Sequence, residues 1–150
     1  MIGWVPVVAG VGSAVAGGFY VAFSAVVMPA LRRRAPADAA ATMVAINENA
    51  ERAPFMTVFF GAAVASAATI ATAVVDPQPA SPLRIVGATL YLAGVVSTIA
   101  ANVPLNRRLA AAGENRAAQW PGFVRPWTRL NTVRAVLSIA GAVALLVRMP

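Results

Sequence analysis

The sequence predicts an all-α fold, a four-helix transmembrane bundle that forms a single integral membrane domain over residues 1–150, with a short interfacial helix between the first and second spanning helices. Of the 150 residues, 59% are hydrophobic and 11% are charged, and the mean hydropathy is +0.73. A water-soluble domain of this size has too little polar surface to cover so apolar a chain. Four apolar windows approach the roughly 20 residues that a helix needs to cross a bilayer. The arginines are concentrated between these windows.

The first apolar segment covers residues 5–31. A cleavable signal peptide is the alternative, but it would carry basic residues before an apolar run of roughly 7–15 residues. Here the run is longer and three arginines, residues 32–34, follow it. We therefore expect a spanning helix. Gly10, Ala14 and Gly18 recur at every fourth position within it, a spacing that permits close helix packing.

The segment from residue 36 to residue 52 has the pattern of a short amphipathic helix. Pro36 or Asp38 can begin it, and an apolar stripe recurs at helical spacing at Met43, Ile46 and Ala50. We expect this helix to lie along the membrane interface. Glu48 is spaced for an ion pair with Arg52, one turn away.

Three further apolar segments follow. We expect spanning helices over residues 54–75, 83–103 and 127–147. The stretch WPGFVRPW (residues 120–127) has tryptophans and prolines in the manner of an interfacial segment. It is predicted to form a hairpin that leads into the last helix.

Arginine placement predicts the orientation, because basic residues in short loops stay on the cytoplasmic side of a membrane. The loops after the first and third segments hold most of the arginines, whereas the opposite side has only Arg84 and Arg148. We therefore expect both termini to lie outside the cell (inner) membrane. The arginines would anchor the chain to the lipid bilayer, and nucleic acid is not an expected partner because no soluble basic domain carries the charge. The absence of lysine favours a GC-rich bacterial source.

Missing residue types exclude several kinds of chemistry. The chain contains no cysteine and no histidine, so it cannot form a disulfide, a catalytic triad or a histidine-ligated haem site. Only two of its five carboxylates, Glu48 and Glu51, are close in sequence. No glycine-rich phosphate loop is present outside the apolar segments. We expect neither a metal nor another cofactor.

Polar residues at the start of the fourth segment share one helical stripe. In WTRLNTVR, Trp127, Asn131 and Arg134 stand at positions i, i+4 and i+7. Arg134 would lie roughly 10 Å beyond the helix start at residue 127. An arginine at that depth is costly without partners, so it should face the interior of the bundle.

Two other pairs of polar residues are predicted to meet this stripe. Asn102 and Asn106 lie one turn apart at the end of the third segment, and Asn47 and Glu51 lie one turn apart on the interfacial helix. The simplest geometry brings all of them together at the cytoplasmic end of the bundle. Glu51 is the expected ionic partner of Arg134.

Four stretches in this order carry a resemblance to a known family: MPALRRR, INENAERAPFM, NVPLN and WTRLNTVR. Together they resemble the anthrone oxygenase-like family of small membrane proteins over nearly the whole chain. The resemblance implies a four-helix membrane protein. Some fungal relatives are assigned to the oxidation of anthrones to anthraquinones with O2, without a recognised cofactor, whereas many bacterial members have no assigned activity.

An oxygenase acting on an anthrone-like or other lipid-soluble aromatic substrate would need a base, hydrogen-bond donors for the developing oxyanion and an apolar slot. Glu51 would be the base. Asn131 and Arg134 would act with it on the reacting oxygen. The predicted substrate-binding residues are Asn47, Asn102, Asn106, Trp127, Phe55 and Tyr91, with Tyr91 about three turns deeper, at the floor of the site.

A structural role for the same residues remains an alternative. Amides in membrane bundles often join helices, so the polar cluster could lock the helix ends in a non-catalytic membrane subunit, or in a protein that binds a lipid or a quinone. An ion channel is not favoured, because no polar trail crosses the first two apolar segments. The small-residue faces make a homo-oligomer plausible.

Overall fold

Four long helices and one shorter helix make up most of the chain between residues 3 and 147. The computed structural model describes residues 3–147, so Arg148, which was predicted to lie on the outer side, is outside the described residues. The helices are α1 (Val5–Leu31), α2 (Pro36–Ala50), α3 (Phe55–Val75), α4 (Ser81–Ala111) and α5 (Arg116–Leu146). No strand occurs within residues 3–147. The predicted all-α bundle with a short additional helix is confirmed.

The four long helices form a closed ring of neighbours. Helix α1 packs against α3 and α5, and α4 packs against the same two helices. Gly10 lies against Leu146, whereas Gly17 lies against Ser138, so α1 and α5 run antiparallel. We call the end where α1 finishes and α5 begins the arginine-rich end, since the segments there carry Arg32, Arg33, Arg34, Arg52, Arg107, Arg108, Arg116, Arg125 and Arg129.

The outer surface of the bundle is apolar. Each long helix turns branched side chains outward, and the exposed fractions are 52% for Val15, 70% for Val64, 64% for Val96 and 61% for Val136. Where the long helices approach each other closely, the contacts are made instead by alanine, glycine and serine, as is usual in membrane bundles. All four long helices are also apolar and long enough to cross a membrane. The chain is a multi-pass membrane protein.

The face of α1 that packs against α5 differs from the predicted stripe. Gly10, Ser13 and Gly17 make the close contacts, and the Ser13 hydroxyl donates to the carbonyl of Ser138 at 2.7 Å. Ala14 and Gly18 are exposed, so the predicted close packing of these two residues is wrong. Residues on one contact face of a packed helix recur about every 3.5 positions. Residues spaced exactly four apart therefore rotate gradually away from that face.

In each of α1 and α4, a π-helical turn precedes a proline inside the helix. Proline cannot donate to the carbonyl four residues back, and its ring collides with that carbonyl. In α1 the turn Phe23–Val27 precedes Pro29, and in α4 the turn Thr98–Asn102 precedes Pro104. Each turn ends with a backbone N–H that donates five residues back. The wider turn allows both helices to continue past the proline, so α4 extends to Ala111 rather than ending at residue 103.

The predicted hairpin at residues 120–127 is wrong, because these residues form a continuous part of α5. Trp120, Phe123 and Trp127 lie on one face of the helix and stack in sequence, with ring centroids 5.7 and 6.0 Å apart. They pack against α2, whose residues Met43 and Val44 are buried in the same apolar cluster. This burial compensates for the two hydrogen bonds that Pro121 and Pro126 cannot make. Because α5 begins at residue 116, Arg134 lies about 27 Å along the helix rather than about 10 Å.

The contact between α4 and α5 provides a test of the packing. A Cβ atom at Gly141 would lie 2.8 Å from the carbonyl oxygen of Gly87, and backbone cannot move aside as a flexible side chain can. We expect Gly141→Ala to lower the free energy of unfolding in detergent by about 1–3 kcal/mol. Gly61→Ala is the matched control, since nothing lies within 4 Å of its added Cβ. Equal melting temperatures for the two variants would contradict this packing.

Candidate functional site

A narrow cavity lies at the arginine-rich end of the bundle, with a volume of about 80 Å³. All five helices or their ends contribute to its lining. Of the nine residues that the sequence singled out, seven line it: Asn47, Glu51, Phe55, Asn106, Trp127, Asn131 and Arg134. Asn102 and Tyr91 do not line it. The cavity is thus where the structure brings most of the predicted residues together.

Arg134 is buried in the wall of this cavity, with 6% of its surface exposed. Its guanidinium donates to Asn131 Oδ1 at 2.8 Å and to Thr98 Oγ1 at 3.2 Å. The same group lies over the Tyr20 ring, 4.3 Å from the centroid. Cation–π contacts of this kind stabilise a desolvated guanidinium. Arg134 therefore faces the bundle interior with several partners.

The predicted ion pair between Glu51 and Arg134 is not formed. Among residues 3–147, no carboxylate lies within 4.0 Å of the guanidinium. Glu51 follows the last residue of α2 and is exposed, so it lies at the rim of the cavity. The predicted pair of Glu48 with Arg52 is also not formed, since α2 ends at Ala50 and Arg52 lies in the turn after it.

Asn131 joins α5 to α1. Its amide nitrogen donates to the backbone carbonyl of Tyr20 at 2.7 Å and to Ser24 Oγ at 2.8 Å. Its amide oxygen accepts from Arg134. With one side chain bound to three groups, Asn131 positions the guanidinium and fixes the distance between the two helices.

The two amides of α4 differ in their bonding. Asn106 accepts a hydrogen bond from the indole nitrogen of Trp127 at 2.7 Å, so it does not bond to Asn131 or Arg134. Asn102 is 1% exposed, and neither atom of its amide has a hydrogen-bond partner. Asn106 therefore meets the polar stripe of α5 through Trp127, as predicted, whereas Asn102 makes no hydrogen bond to any residue of that stripe.

Aromatic rings form one side of the cavity. Phe19 and Phe55 are stacked with centroids 4.3 Å apart, and Tyr20 meets Phe55 edge to face at 6.3 Å. Tyr91 is buried in the same apolar cluster as Tyr20, and its hydroxyl donates to the carbonyl of Phe59 at 3.0 Å. Tyr91 thus supports the wall from below without touching the cavity.

Sequence reasoning missed the contributions of α1 and of Thr98. Tyr20 and Ser24 are one turn apart in a segment that otherwise reads as apolar, and this spacing was the available signal. Nothing in the sequence indicated a role for Thr98. A threonine in a membrane helix commonly bonds to a backbone carbonyl of the same helix, as Thr98 also does with Gly94. Only the packing of α4 against α5 places its hydroxyl beside Arg134.

Several buried polar atoms at this end of the bundle have no partner within the part of the chain that the structure describes. They are Arg134 Nε, Asn47 Nδ2, both amide atoms of Asn102 and Arg116 Nε. Buried polar groups are normally bonded, so each such atom calls for a ligand, a water molecule or a strain. Arg134 Nε and Asn47 Nδ2 belong to residues that line the cavity, and both are donors. The arrangement is suited to holding an oxygen atom, particularly a negatively charged one.

No metal-binding group accompanies this site. Across residues 3–147, no three His, Cys, Asp or Glu side chains come together in a way that could hold a metal ion. The groups that the cavity does offer are a guanidinium, amides, the hydroxyls of Tyr20 and Thr98, one carboxylate and aromatic rings.

Comparison with known proteins gives one match. Residues 55–144, three fifths of the chain, match the family described as Anthrone oxygenase. No curated protein and no solved structure matches the chain. The matched residues cover α3, α4 and most of α5, which supply Phe55, Asn106 and Arg134. Asn47 and Glu51 lie outside the matched range.

The contrast between Asn102 and Asn131 gives a test of which amide supports the fold. Asn102→Leu removes a buried amide without bonds and should leave the melting temperature in detergent unchanged or raise it. Asn131→Leu removes two bonds between α5 and α1 and one bond to Arg134 within α5, and we expect it to lower the free energy of unfolding by about 1–3 kcal/mol. A larger loss for Asn102→Leu than for Asn131→Leu would show that Asn102 holds the helices together.

Proposed function

We propose that this chain, which belongs to the anthrone oxygenase family, binds a lipid-soluble aromatic substrate of the anthrone type in the cavity at its arginine-rich end and oxidises it with O2. One observation carries the proposal: Arg134 is buried beside aromatic rings and, within residues 3–147, has no carboxylate within 4.0 Å. A buried guanidinium without a counter-charge is costly. A substrate that becomes an oxyanion during the reaction supplies the missing negative charge.

The reaction needs little from the protein beyond deprotonation and charge stabilisation. A base removes one proton from the methylene carbon of the anthrone, and the electron pair moves onto the carbonyl oxygen to give an electron-rich enolate. The enolate transfers electrons to O2, and a carbon–oxygen bond forms, giving a hydroperoxide after protonation. Loss of the second methylene proton with cleavage of the O–O bond yields the quinone carbonyl and water. One substrate and one O2 thus give one quinone and one water, and no bound cofactor is required.

The cavity offers a group for each of these tasks. Glu51 is the only carboxylate in its lining, and we assign it as the base. The unpartnered donors Arg134 Nε and Asn47 Nδ2 would hold the enolate oxygen. Asn131 acts through Arg134, because both ends of its amide are already bonded to protein. It is therefore a positioning residue in this proposal.

The aromatic part of the substrate would lie against Phe19 and Phe55, with Trp127 on the opposite side. The indole is held in place by its bond to Asn106. Tyr91 and Asn102 stand outside the lining, so in this proposal they support the wall of the site. At about 80 Å³ the cavity is smaller than the roughly 300–1,000 Å³ that is usual for ligand sites. Binding of a three-ring compound would therefore require movement of rim side chains such as Met56 and Glu51.

The second candidate function is structural: the polar cluster locks the helix ends together and catalyses no reaction. It is favoured by the hydrogen bonds themselves, since Asn131 and Arg134 connect α5 to α1 and α4 at once. A non-catalytic membrane subunit, or a protein that binds a lipid or quinone, would need no more than this. The two candidates differ in what they require of Glu51, because the exposed Glu51 takes no part in the lock.

The role of Glu51 can be tested by O2 consumption. With the protein in detergent and an anthrone as substrate, we expect Glu51→Gln to lower kcat about 100-fold or more, because the base is lost. The matched control is Glu48→Gln, which changes an exposed carboxylate three residues earlier, on α2, that does not line the cavity. Melting temperatures of both variants should equal that of the unchanged protein.

Oxidation in protein-free micelles sets the background for this assay, since anthrones also react with O2 unaided. If the unchanged protein neither exceeds that background nor shows a higher melting temperature in the presence of the anthrone, the proposal is wrong. If it exceeds the background and Glu51→Gln turns over equally fast, only the assignment of the base is wrong.

We also propose that the arginine-rich end faces the cytoplasm and that both termini lie outside. Nine arginines stand in the segments at that end, whereas the loop between α3 and α4 has only Arg84 beside it. Short basic segments of this kind are retained on the cytoplasmic side during insertion. The observation that supports this orientation is the difference in the number of arginines between the two ends of the bundle.

The chain contains no cysteine, so single cysteines can report this orientation. Gln78→Cys, in the exposed turn between α3 and α4, should react with a membrane-impermeant maleimide on intact cells. Glu114→Cys, exposed between α4 and α5, should react only after the cells are opened. The reverse labelling pattern would show that the arginine-rich end faces outward.

A further inference from the structure

The outer surface between α1 and α5 carries a groove that the proposed oxygenase site does not use. It has two neighbouring parts, with volumes of about 590 and 460 Å³, and Ile139 lines both. We propose that this groove, which we call the α1–α5 groove, binds one anionic glycerophospholipid, with an acyl chain along the groove and the phosphate at its arginine-rich end. This proposal is independent of the proposed catalytic activity.

The apolar part of the groove has the shape that an acyl chain needs. Small side chains form its floor, including Ala14 and Gly18 on α1 and Ala140 on α5. A side chain added at Gly18 would meet nothing within 4 Å, so the space is open. From Thr132 to Val147 the groove runs about 22 Å along the helix. One leaflet contributes about 15 Å of hydrocarbon, so the chain of a single lipid can lie within it.

Hydroxyl groups line the groove where it approaches the arginine-rich end. Ser24 Oγ and Thr132 Oγ1 share a hydrogen bond of 2.9 Å on the exposed side of the bundle. One turn nearer to the start of α5, Thr128 Oγ1 accepts a hydrogen bond from Arg32 at 3.3 Å. Along the groove, the apolar floor is followed by hydroxyls and then by a guanidinium. A phospholipid has the matching order of groups: an acyl chain, then a glycerol ester, then a phosphate.

Charge at this end of the groove favours an anion. Arg32 turns back along the bundle onto α5, and Arg125 stands on the same stripe of α5 as Thr128, three residues earlier. No carboxylate lies within 4.0 Å of either arginine among the residues that the structure describes. Guanidinium groups bind phosphate oxygens in a bidentate manner. Two of them beside hydroxyls therefore match a lipid phosphate.

A second copy of the chain is a less suitable occupant. Two copies in one membrane share the same orientation, so a symmetric contact through this groove would bring Arg32 and Arg125 of both copies to the same level. Like charges at that distance repel each other. An anionic lipid in the groove neutralises them instead.

The proposal can be tested by lipid binding to the detergent-purified full-length chain. Phosphatidylglycerol and phosphatidylcholine with identical acyl chains are titrated separately, and native mass spectrometry counts the lipids retained. We expect one phosphatidylglycerol to be retained with higher affinity than phosphatidylcholine, and to raise the melting temperature more. Arg32→Gln and Arg125→Gln should each weaken phosphatidylglycerol binding about fivefold, with little effect on phosphatidylcholine.

Two further variants complete the design. Ala140→Leu fills the groove floor and should weaken the binding of both lipids, whereas Arg84→Gln, at the opposite end of the bundle, should change neither affinity. Equal affinities for the two lipids in the unchanged protein would overturn the proposal. So would retention of the phosphatidylglycerol preference in Arg32→Gln and Arg125→Gln, or unchanged lipid binding in Ala140→Leu. Anthrone oxidation does not enter this assay, so its outcome is separate from that of the proposed function.

Discussion

The buried guanidinium of Arg134 is the constraint on which the arginine-rich end of the bundle depends. Its positive charge is almost fully buried, and no carboxylate approaches it within 4.0 Å in the described part of the chain. Dispersed partners replace the counter-ion: an amide from Asn131, a hydroxyl from Thr98 and the ring of Tyr20. These partners come from three helices, so the charge holds those helices in register. They leave Arg134 Nε without an acceptor, which is why the site is suited to an oxyanion.

Helix irregularities determine where those partners stand. The π-helical turns before Pro29 and Pro104 both lie at the level of the site, and residues in them, Ser24 and Thr98, bond to Asn131 and Arg134. A π-helical turn rotates the residues on either side of it relative to a regular helix. π-Helical turns occur often at functional sites for this reason. Each proline thus has an effect on the site a turn or more away from its own ring.

Polar groups on α5 also connect the inner cavity with the outer groove. Asn131 faces inward to Arg134 and bonds to Ser24, and Ser24 in turn bonds to Thr132 on the exposed side. A continuous set of hydrogen bonds therefore runs from the buried charge to the surface that meets lipid. Elsewhere the bundle is closed by small residues, such as Gly87 against Gly141, which leave no room between helices. The cavity with the buried guanidinium lies at the arginine-rich end, where large side chains such as Phe55 and Trp127 stand between the helices.

The sequence by itself determined the class of fold, the number of spanning helices and the set of polar residues that gather at one end. These features depend on short stretches of sequence. The mean hydropathy over about 20 residues and the i, i+4, i+7 stripe on α5 can both be read without knowing which other segments pack against them. Only the tertiary structure decided the partners of those residues. Glu51 stands at the rim because α2 ends at Ala50, and residues 120–127 stay helical because α2 covers their aromatic face. Such outcomes depend on contacts between segments far apart in the chain, where packing outweighs the local preference of a proline or the attraction between two charges.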